Sequence, residues 1–327
     1  MFRVVLGRTP TVAERDANAL GLFKSEVFES RLSHMLDSEE FNIMALPGRV
    51  AQATKNWTGR RVFFLHVPKT AGTSARLALI EALGVPAFEY YNRVTYLKDE
   101  PAKLENNFWP FWVGHENISD FPNDFAGITF FRETRSRFLS LYRQYSRVGQ
   151  EVFQILDPEI REETKRSSLK VLATPLGKWL SDPKLESTIG FYIPSKEYGR
   201  NSINLTEFRT YVDTLSSRKT KEILSESFSR FSHAAWSHDE TGILRAVSGV
   251  SGREINVLPR ENIFPNLDGL PPQVLDADTL AKLNAIQEKE AVLFKVAHEH
   301  GLVPLLSKSE ADDLFEITAK RLGFTFA

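Results

Sequence analysis

Residues His66–Ser74 (HVPKTAGTS) combine side chains that bind an oxyanion, and they follow directly after an apolar run. Lys69 supplies a mobile positive charge, and Gly72 lets the backbone approach a bound group closely or adopt a positive φ. If a helix begins within this segment, its free N–H groups and partial positive charge add to the attraction. Three hydroxyl side chains supply further hydrogen-bond donors: Thr70, Thr73 and Ser74. The segment therefore predicts a site for a phosphate- or sulfate-like group.

A second cationic segment, Phe131–Arg143 (FRETRSRFLSLYR), lies some 60 residues further along the chain. Arg132 ends an apolar run, and Ser140 follows eight residues later. A helix that begins near Thr134 places Ser136 and Ser140 on one face, one turn apart. Because an arginine can bind two oxygens of one phosphate at once, Arg132 with a nearby hydroxyl predicts a phosphate clamp. Taken alone, the same pattern also fits a cationic helix face in solvent.

His115 is the candidate general base. It follows the apolar run Phe108–Val113 (FWPFWV) and a glycine, which predicts a position at the end of a strand, where open α/β sheets bind ligands. Histidine suits proton removal because its unperturbed pKa, about 6.5, lies close to neutral pH. Two carboxylates remain alternatives to His115 as the base: Glu81 and Glu116.

Two strand–loop–helix units have to position these residues. Short apolar runs rich in β-forming residues are typical of buried parallel strands, and strands that alternate with helices predict an α/β fold with a central parallel sheet flanked by helices. The predicted strands are Arg61–Val67, Phe108–Val113 and Phe125–Phe131, and the predicted helices are Ser74–Leu83 and Thr134–Tyr145. Each candidate site residue then follows the carboxyl end of a strand.

The remaining chain is mainly helical by its pattern. Residues 1–48 read as a small helical module, a polar linker follows, and residues 60–305 form the main predicted domain. Within that domain, residues 150–245 read as helices, a short strand is expected near Ile255–Leu258, and a further helix at 277–300. A helix at 308–321 belongs to a predicted C-terminal helix and tail, residues 306–327.

Composition excludes several kinds of function. The 327 residues include 41 basic and 42 acidic side chains, a balance that argues against a nucleic-acid partner. The absence of cysteine excludes disulfides, thiolate metal sites and cysteine nucleophiles, and we expect no metal. We expect no membrane insertion and a cytoplasmic location, because the chain shows no signal-peptide pattern and no apolar run of membrane-spanning length.

The two cationic segments resemble those of a known family. HVPKTAGTS is similar to the 5′-phosphosulfate-binding loop of sulfotransferases that use PAPS (3′-phosphoadenosine-5′-phosphosulfate), in the branch of heparan sulfate 2-O- and 6-O-sulfotransferases and their bacterial relatives. Phe131–Arg143 resembles the family's 3′-phosphate signature, although Glu133 and Thr134 replace its aspartate and proline. The residues on matching positions of that signature are Arg132, Arg137, Ser140, Tyr142 and Arg143.

The resemblance implies a P-loop-like α/β fold and an enzyme that moves a sulfuryl group from PAPS to a hydroxyl, releasing PAP. By the same resemblance, Lys69 stabilises charge on the departing nucleotide, the loop Lys69–Ser74, including Ala71, binds the 5′-phosphate, and Arg132 with Ser140 binds the 3′-phosphate. The implied acceptor is a carbohydrate, either a glycan or a glycolipid. Residues 1–45 resemble a small helical module of unknown function that occurs in bacterial proteins, often ones concerned with surface polysaccharides. An ordinary pair of capping helices is the alternative for this segment.

Two other functions remain open. A nucleotide-dependent kinase on a similar core is disfavoured because the motif G-x-x-x-x-G-K-[ST] is missing. A non-catalytic nucleotide- or glycan-binding relative is the other alternative. Arg253 and Arg260 could reach the nucleotide or an anionic acceptor, and four aromatic residues could either stack on sugars or pack in the core: Trp109, Trp112, Trp179 and Tyr192. The acceptor and the oligomeric state do not follow from the sequence.

Overall fold

The computed structural model describes residues 61–83, 88–89, 111–115, 118, 121, 123–147, 169–171, 173–182, 187–194, 211–259 and 273–327. The predicted N-terminal module and linker lie outside these residues, as do Trp109, Glu116 and Arg260.

A parallel sheet forms the centre of the described chain, which confirms the predicted α/β class. Its strands are β1 (Val62–Leu65), β2 (Phe88–Glu89), β3 (Phe111–Gly114), β4 (Ala126–Phe131) and β5 (Phe231–Trp236). The strands lie in the order β2-β3-β1-β4-β5, and every neighbouring pair is parallel. Two further strands, β6 (Gln273–Leu275) and β7 (Phe324–Phe326), pair in parallel as a separate small sheet.

Helices pack around the sheet. They are α1 (Gly72–Leu83), α2 (Thr134–Arg147), α3 (Leu176–Trp179), α4 (Thr188–Tyr192), α5 (Ser217–Phe228), α6 (Glu240–Ser251), α7 (Ala277–Glu299) and α8 (Lys308–Arg321). The helices predicted at 277–300 and 308–321 are confirmed to within one residue as α7 and α8. No helix in the described ranges combines the length and the apolar character that crossing a bilayer requires.

The central strand β1 is buried on both faces. Phe63 and Leu65 pack in a core layer with residues of α5 and α7, whereas Val62 and Phe64 pack in a second layer with residues of α1 and α6. Because neither face meets water, the strand has no polar alternation in its sequence. This explains why the apolar runs of β1 and β4 were recognisable as strands.

The order of the strands puts a topological switch point at β1. The chain leaves β1 to form β2 and β3 on one side and then returns to form β4 on the other. Helices that follow β1 on one side and β4 on the other leave a crevice at the carboxyl end of the central strand, which is where open α/β sheets bind ligands. The loop 66–71 starts at this point.

Two predicted elements differ from the structure. The stretch 150–245 contains strand β5, which the sequence analysis missed because Ser232 and His233 interrupt its apolar pattern. As the edge strand, β5 has only one strand neighbour, and its Ser232, His233 and Ala234 are only partly buried. The strand expected at Ile255–Leu258 is wrong, because these residues are irregular.

Residues 306–327 pack on α2 through helix α8. The two helices run side by side in the same direction, because Arg135 Nη2 contacts Asp312 Oδ1 at 2.8 Å and Arg143 Nε contacts the Leu322 carbonyl oxygen at 2.8 Å. Between these contacts, Ser136 Oγ donates a hydrogen bond to the Leu314 carbonyl at 3.2 Å. The C-terminal segment thus lies beside the helix that follows β4.

Candidate functional site

At residues 69–71, the backbone of the loop 66–71 alternates between left-handed and other conformations from residue to residue. Lys69 has φ of 72° and Ala71 has φ of 64°, whereas Thr70 between them has no positive φ. Alternation of this kind turns successive N–H groups toward one side and forms a concave anion-binding surface. A left-handed conformation costs a non-glycine residue about 1–2 kcal/mol, and such strain is typical of ligand-binding turns.

Hydrogen bonds at residues 69–71 hold the strained loop. Thr70 is fully buried, and its Oγ1 donates to the Val67 carbonyl oxygen at 2.8 Å. Arg132 Nη1 donates to the Lys69 carbonyl oxygen at 3.1 Å. The Ala75 N–H donates to the Ala71 carbonyl oxygen at 3.2 Å and starts helix α1. The side chain of Thr70 is therefore engaged within the turn, while its backbone lies in the alternating segment.

Gly72 is required for close packing rather than for a positive φ. It is the first residue of α1, and a Cβ there would lie 1.5 Å from Nε2 of His66. The positive φ values fall instead on Lys69 and Ala71. A side chain at position 72 would displace the imidazole of His66, which packs against the loop.

At the start of helix α1, no acidic side chain of the helix itself offsets the positive end of the helix dipole. Its first turn contains no acidic residue, and Thr73 and Ser74 are both partly exposed there. Helix N-termini attract anions through their free N–H groups and the helix dipole. The end of α1 and the alternating loop therefore favour the same kind of ligand.

His115 lies beside this loop, at the end of β3. Its ring centroid is 4.2 Å from that of His66, and its Nδ1 is within hydrogen-bond distance of the His66 carbonyl oxygen. A carbonyl oxygen can only accept, so Nδ1 carries the proton and Nε2 is the basic nitrogen of the neutral ring. Partial burial lowers the pKa of His115; the bond to His66 opposes this, and the charge of Arg76 adds to the lowering.

Arg76 is a site residue that the sequence analysis missed. Arg76 lies one turn of α1 after Gly72, and Gly72 packs directly against the His66 ring. The charge of Arg76 therefore acts on the imidazoles of His66 and His115. Burial lowers the pKa of His66 well below its usual range, and His115, Arg76 and Lys69 add to this effect. The available signal was a single arginine four residues after the loop glycine, which the pattern did not distinguish from a surface residue.

Arg132 connects the loop with the second predicted anion site. The pKa of Arg132 is lowered to about 10, chiefly by burial; the charges of Arg321 and Arg137 contribute to the lowering, and Glu133 opposes it. The guanidinium is still protonated at neutral pH. Among the described residues no carboxylate lies within ion-pair distance of Arg132, and its hydrogen bonds go to Lys69 and Thr318.

Several other residues of the second motif have structural roles. Glu133 caps α2 by accepting hydrogen bonds from the Ser136 N–H at 2.7 Å and the Arg135 N–H at 3.1 Å. Tyr142 donates to the Thr174 carbonyl oxygen at 2.9 Å, and Arg143 binds the end of α8. Glutamate at 133 thus does the capping itself.

Ser140 has no structural role of this kind. The residue is completely buried, and its Oγ has no hydrogen-bond partner within the described part of the chain. A buried hydroxyl without a partner is costly, and in native structures such groups call for a specific explanation. Arg137, one turn before it, is also buried and lies over the ring of Phe138 at 4.5 Å.

The structure also locates several alternative candidates. Glu81 is exposed in the last turn of α1, about 13.5 Å along the helix axis from Gly72 at 1.5 Å per residue. Arg253 is exposed just after the end of α6. The aromatic residues considered for sugar stacking are buried in the core where they are described: Trp112, Trp179 and Tyr192. The hydroxyl of Tyr192 is hydrogen-bonded to Thr129 Oγ1 at 2.8 Å.

His238 lies at the same edge of the sheet, after β5. Its exposed ring stacks on Trp236 with centroids 6.0 Å apart. Burial lowers the pKa of His238, while Asp239 and Glu310 raise it and Arg132 lowers it. In the described ranges, no three histidine or acidic side chains converge as a metal ion would need.

The carboxyl edge of the sheet therefore gathers Lys69, His115 and Arg132 around one strained loop. Comparisons of the chain with protein-family models, with curated protein sequences and with solved structures found no match.

Proposed function

We propose that this chain is a PAPS-dependent sulfotransferase with a P-loop-like donor site, and that it sulfates a hydroxyl of a carbohydrate. The hydrogen bond from Arg132 to the Lys69 carbonyl carries the proposal, because it joins the two anion-binding segments. PAPS bears anionic groups at both its 5′ and 3′ positions. A site of two adjacent cationic parts suits such a ligand better than one with a single phosphate group.

The side chains present fit the two ends of the donor. The alternating N–H groups of the loop and the N-terminus of α1 suit the 5′-phosphosulfate. Arg132 lacks a carboxylate partner among the described residues, and the buried hydroxyl of Ser140 lacks a hydrogen-bond partner there. Both features suit the oxygens of the 3′-phosphate, which would supply a counter-charge and acceptors.

Bound PAPS would supply an activated sulfuryl group, and Lys69 would stabilise the leaving nucleotide. Its left-handed backbone turns Lys69 out of the regular strand-to-helix path at the carboxyl end of β1. A lysine ammonium there would offset the negative charge that develops on the departing phosphate oxygen. Arg132 would keep this backbone in place through the Lys69 carbonyl.

His115 would take the proton of the acceptor hydroxyl. The His66 carbonyl fixes the proton on Nδ1, so that Nε2 is the acceptor nitrogen. The lowered pKa keeps the ring neutral at pH 7, which is the state that a base requires. His115 is only partly buried, so a large acceptor can reach it.

A transfer assay tests this function directly. Purified protein with sulfur-35-labelled PAPS would be incubated with a panel of bacterial polysaccharides and glycolipids. We expect labelled product with at least one acceptor, and losses in kcat of about 100-fold or more for Lys69→Ala and His115→Ala. Glu81→Ala is the matched control and should keep wild-type activity. Transfer that survives in both Lys69→Ala and His115→Ala would remove these residues from the mechanism.

A further inference from the structure

The groove between α2 and α8 contains polar groups that the packing of the two helices does not use. Contacts between the helices keep a nearly constant offset, from Ser136 with Leu314 to Arg143 with Leu322. Because both helices rise equally per residue, Ser140 and Thr318, each one turn further on, lie at the same level. Ser140, whose hydroxyl has no partner among the described residues, therefore lies on the side of α2 that packs against α8, at the level of Thr318.

Arg132 extends into the same groove. Its Nη1 donates to the Lys69 carbonyl oxygen at 3.1 Å, and its Nη2 is 3.5 Å from Thr318 Oγ1. Thr318 lies one turn before Arg321 on α8, so the two side chains share a face. Arg321 is thus close enough for its charge to act on Arg132, the arginine that borders the loop.

Two arginines in proximity repel each other unless an anion lies near them. The charge of Arg321 acts on Arg132, and neither arginine has a carboxylate within ion-pair distance in the described ranges. Burying or crowding like charges is unfavourable when nothing compensates for them. A dianion between the two guanidinium groups would remove the repulsion and give Ser140 an acceptor.

We propose that helix α8 completes the 3′-phosphate site, with Arg321 as a second arginine opposite Arg132 and with Thr318 and Ser140 at the same level of the groove. The inference rests on the proposed donor and adds a residue from the C-terminal segment. Recognition of the 3′-phosphate then depends on α8, some 190 residues after Arg132 in sequence. The second arginine would favour PAP over nucleotides that lack the 3′-phosphate.

Calorimetric titration with PAP and with AMP separates the 3′-phosphate from the rest of the nucleotide. We expect Arg321→Ala to weaken PAP binding by about 10- to 100-fold, because it removes charge-assisted hydrogen bonds, and to leave AMP binding unchanged. Arg321→Lys keeps the charge without the paired donors, and its affinity for PAP should lie between those of the wild type and Arg321→Ala. Lys320→Ala is the matched control, because Lys320 is exposed and pairs with Glu316 at 3.4 Å.

Each outcome decides between the two claims. If Arg321→Ala weakens PAP and AMP equally, or neither, then Arg321 does not contact the 3′-phosphate and the inference is wrong, while the donor assignment stands. If wild-type protein does not prefer PAP to AMP, the donor assignment fails and this inference fails with it. Thermal unfolding of Arg321→Ala should occur at the wild-type temperature or slightly above it, since Arg321 is exposed and its removal relieves the repulsion with Arg132.

Discussion

Ala71 occupies a backbone conformation that glycine adopts at lower cost. Its φ is 64°, in the left-handed region. We expect Ala71→Gly to raise the free energy of unfolding by about 1 kcal/mol, because relief of the left-handed strain exceeds the entropy that glycine gains in the unfolded chain. Urea unfolding measures the change.

The control for this substitution is Ala281→Gly, at an exposed position inside α7. It introduces the same side-chain change into a regular helix and should lower the free energy of unfolding by about 1 kcal/mol. Two shifts of the same sign would mean that Ala71 is not strained.

The pH dependence of transfer tests the role of His115. A base works in its deprotonated form, and the pKa of His115 is lowered, chiefly by burial. Activity should therefore be constant at neutral pH and fall as the pH drops through a value below about 6.5, the ordinary pKa of histidine. We expect this acidic limb to disappear from the residual activity of His115→Asn in a kcat–pH profile.

His238→Ala is the matched control, because the pKa of His238 is also lowered and it lies at the same edge of the sheet. This variant should keep the acidic limb of the wild type. A limb that follows His238 instead would exclude His115 as the titrating base.

The helices and strands that the sequence predicted best are those whose burial or capping leaves a recognisable residue pattern in the sequence. Strands β1 and β4 are buried on both faces and appear as continuous apolar runs, and α7 and α8 begin at the capping residues Asp276 and Ser307. Strand β5 was missed because polar residues on an edge strand break the run.

Glu290 joins the starts of two helices. It is buried, and its carboxylate accepts hydrogen bonds from Thr134 Oγ1 at 3.0 Å and Thr188 Oγ1 at 2.6 Å, and from the Thr188 N–H. A carboxylate at the starts of α2 and α4 also complements their dipoles.

Glu290→Ala should lower the free energy of unfolding by about 2–4 kcal/mol, because it leaves buried donors without an acceptor. Glu288→Ala, an exposed change in the same helix, should stay within about 0.5 kcal/mol of wild type. Chemical unfolding of the two variants makes the comparison. Equal changes in the free energy of unfolding would show that the hydrogen bonds of Glu290 do not stabilise the fold.

In the whole molecule, the site depends on strand order, which no single motif encodes. His115, Lys69 and Arg132 follow β3, β1 and β4, and these strands are neighbours because β1 pairs with both others. The sequence identified the three residues from local motifs. It did not identify Arg76 or Arg321, because their positions near the site result from helix packing over long separations in sequence.

The central claim is that one site binds both phosphate-bearing ends of a 3′,5′-bisphosphorylated adenosine. Calorimetric titration of the wild-type protein with PAP and with ADP, without added metal, tests this claim most directly. We expect PAP to bind about 100-fold more tightly than ADP, since two charge-assisted hydrogen bonds to the 3′-phosphate are absent with ADP, and Arg132→Ala should remove most of that preference. Equal affinity for the two nucleotides, or no binding of PAP, would contradict it.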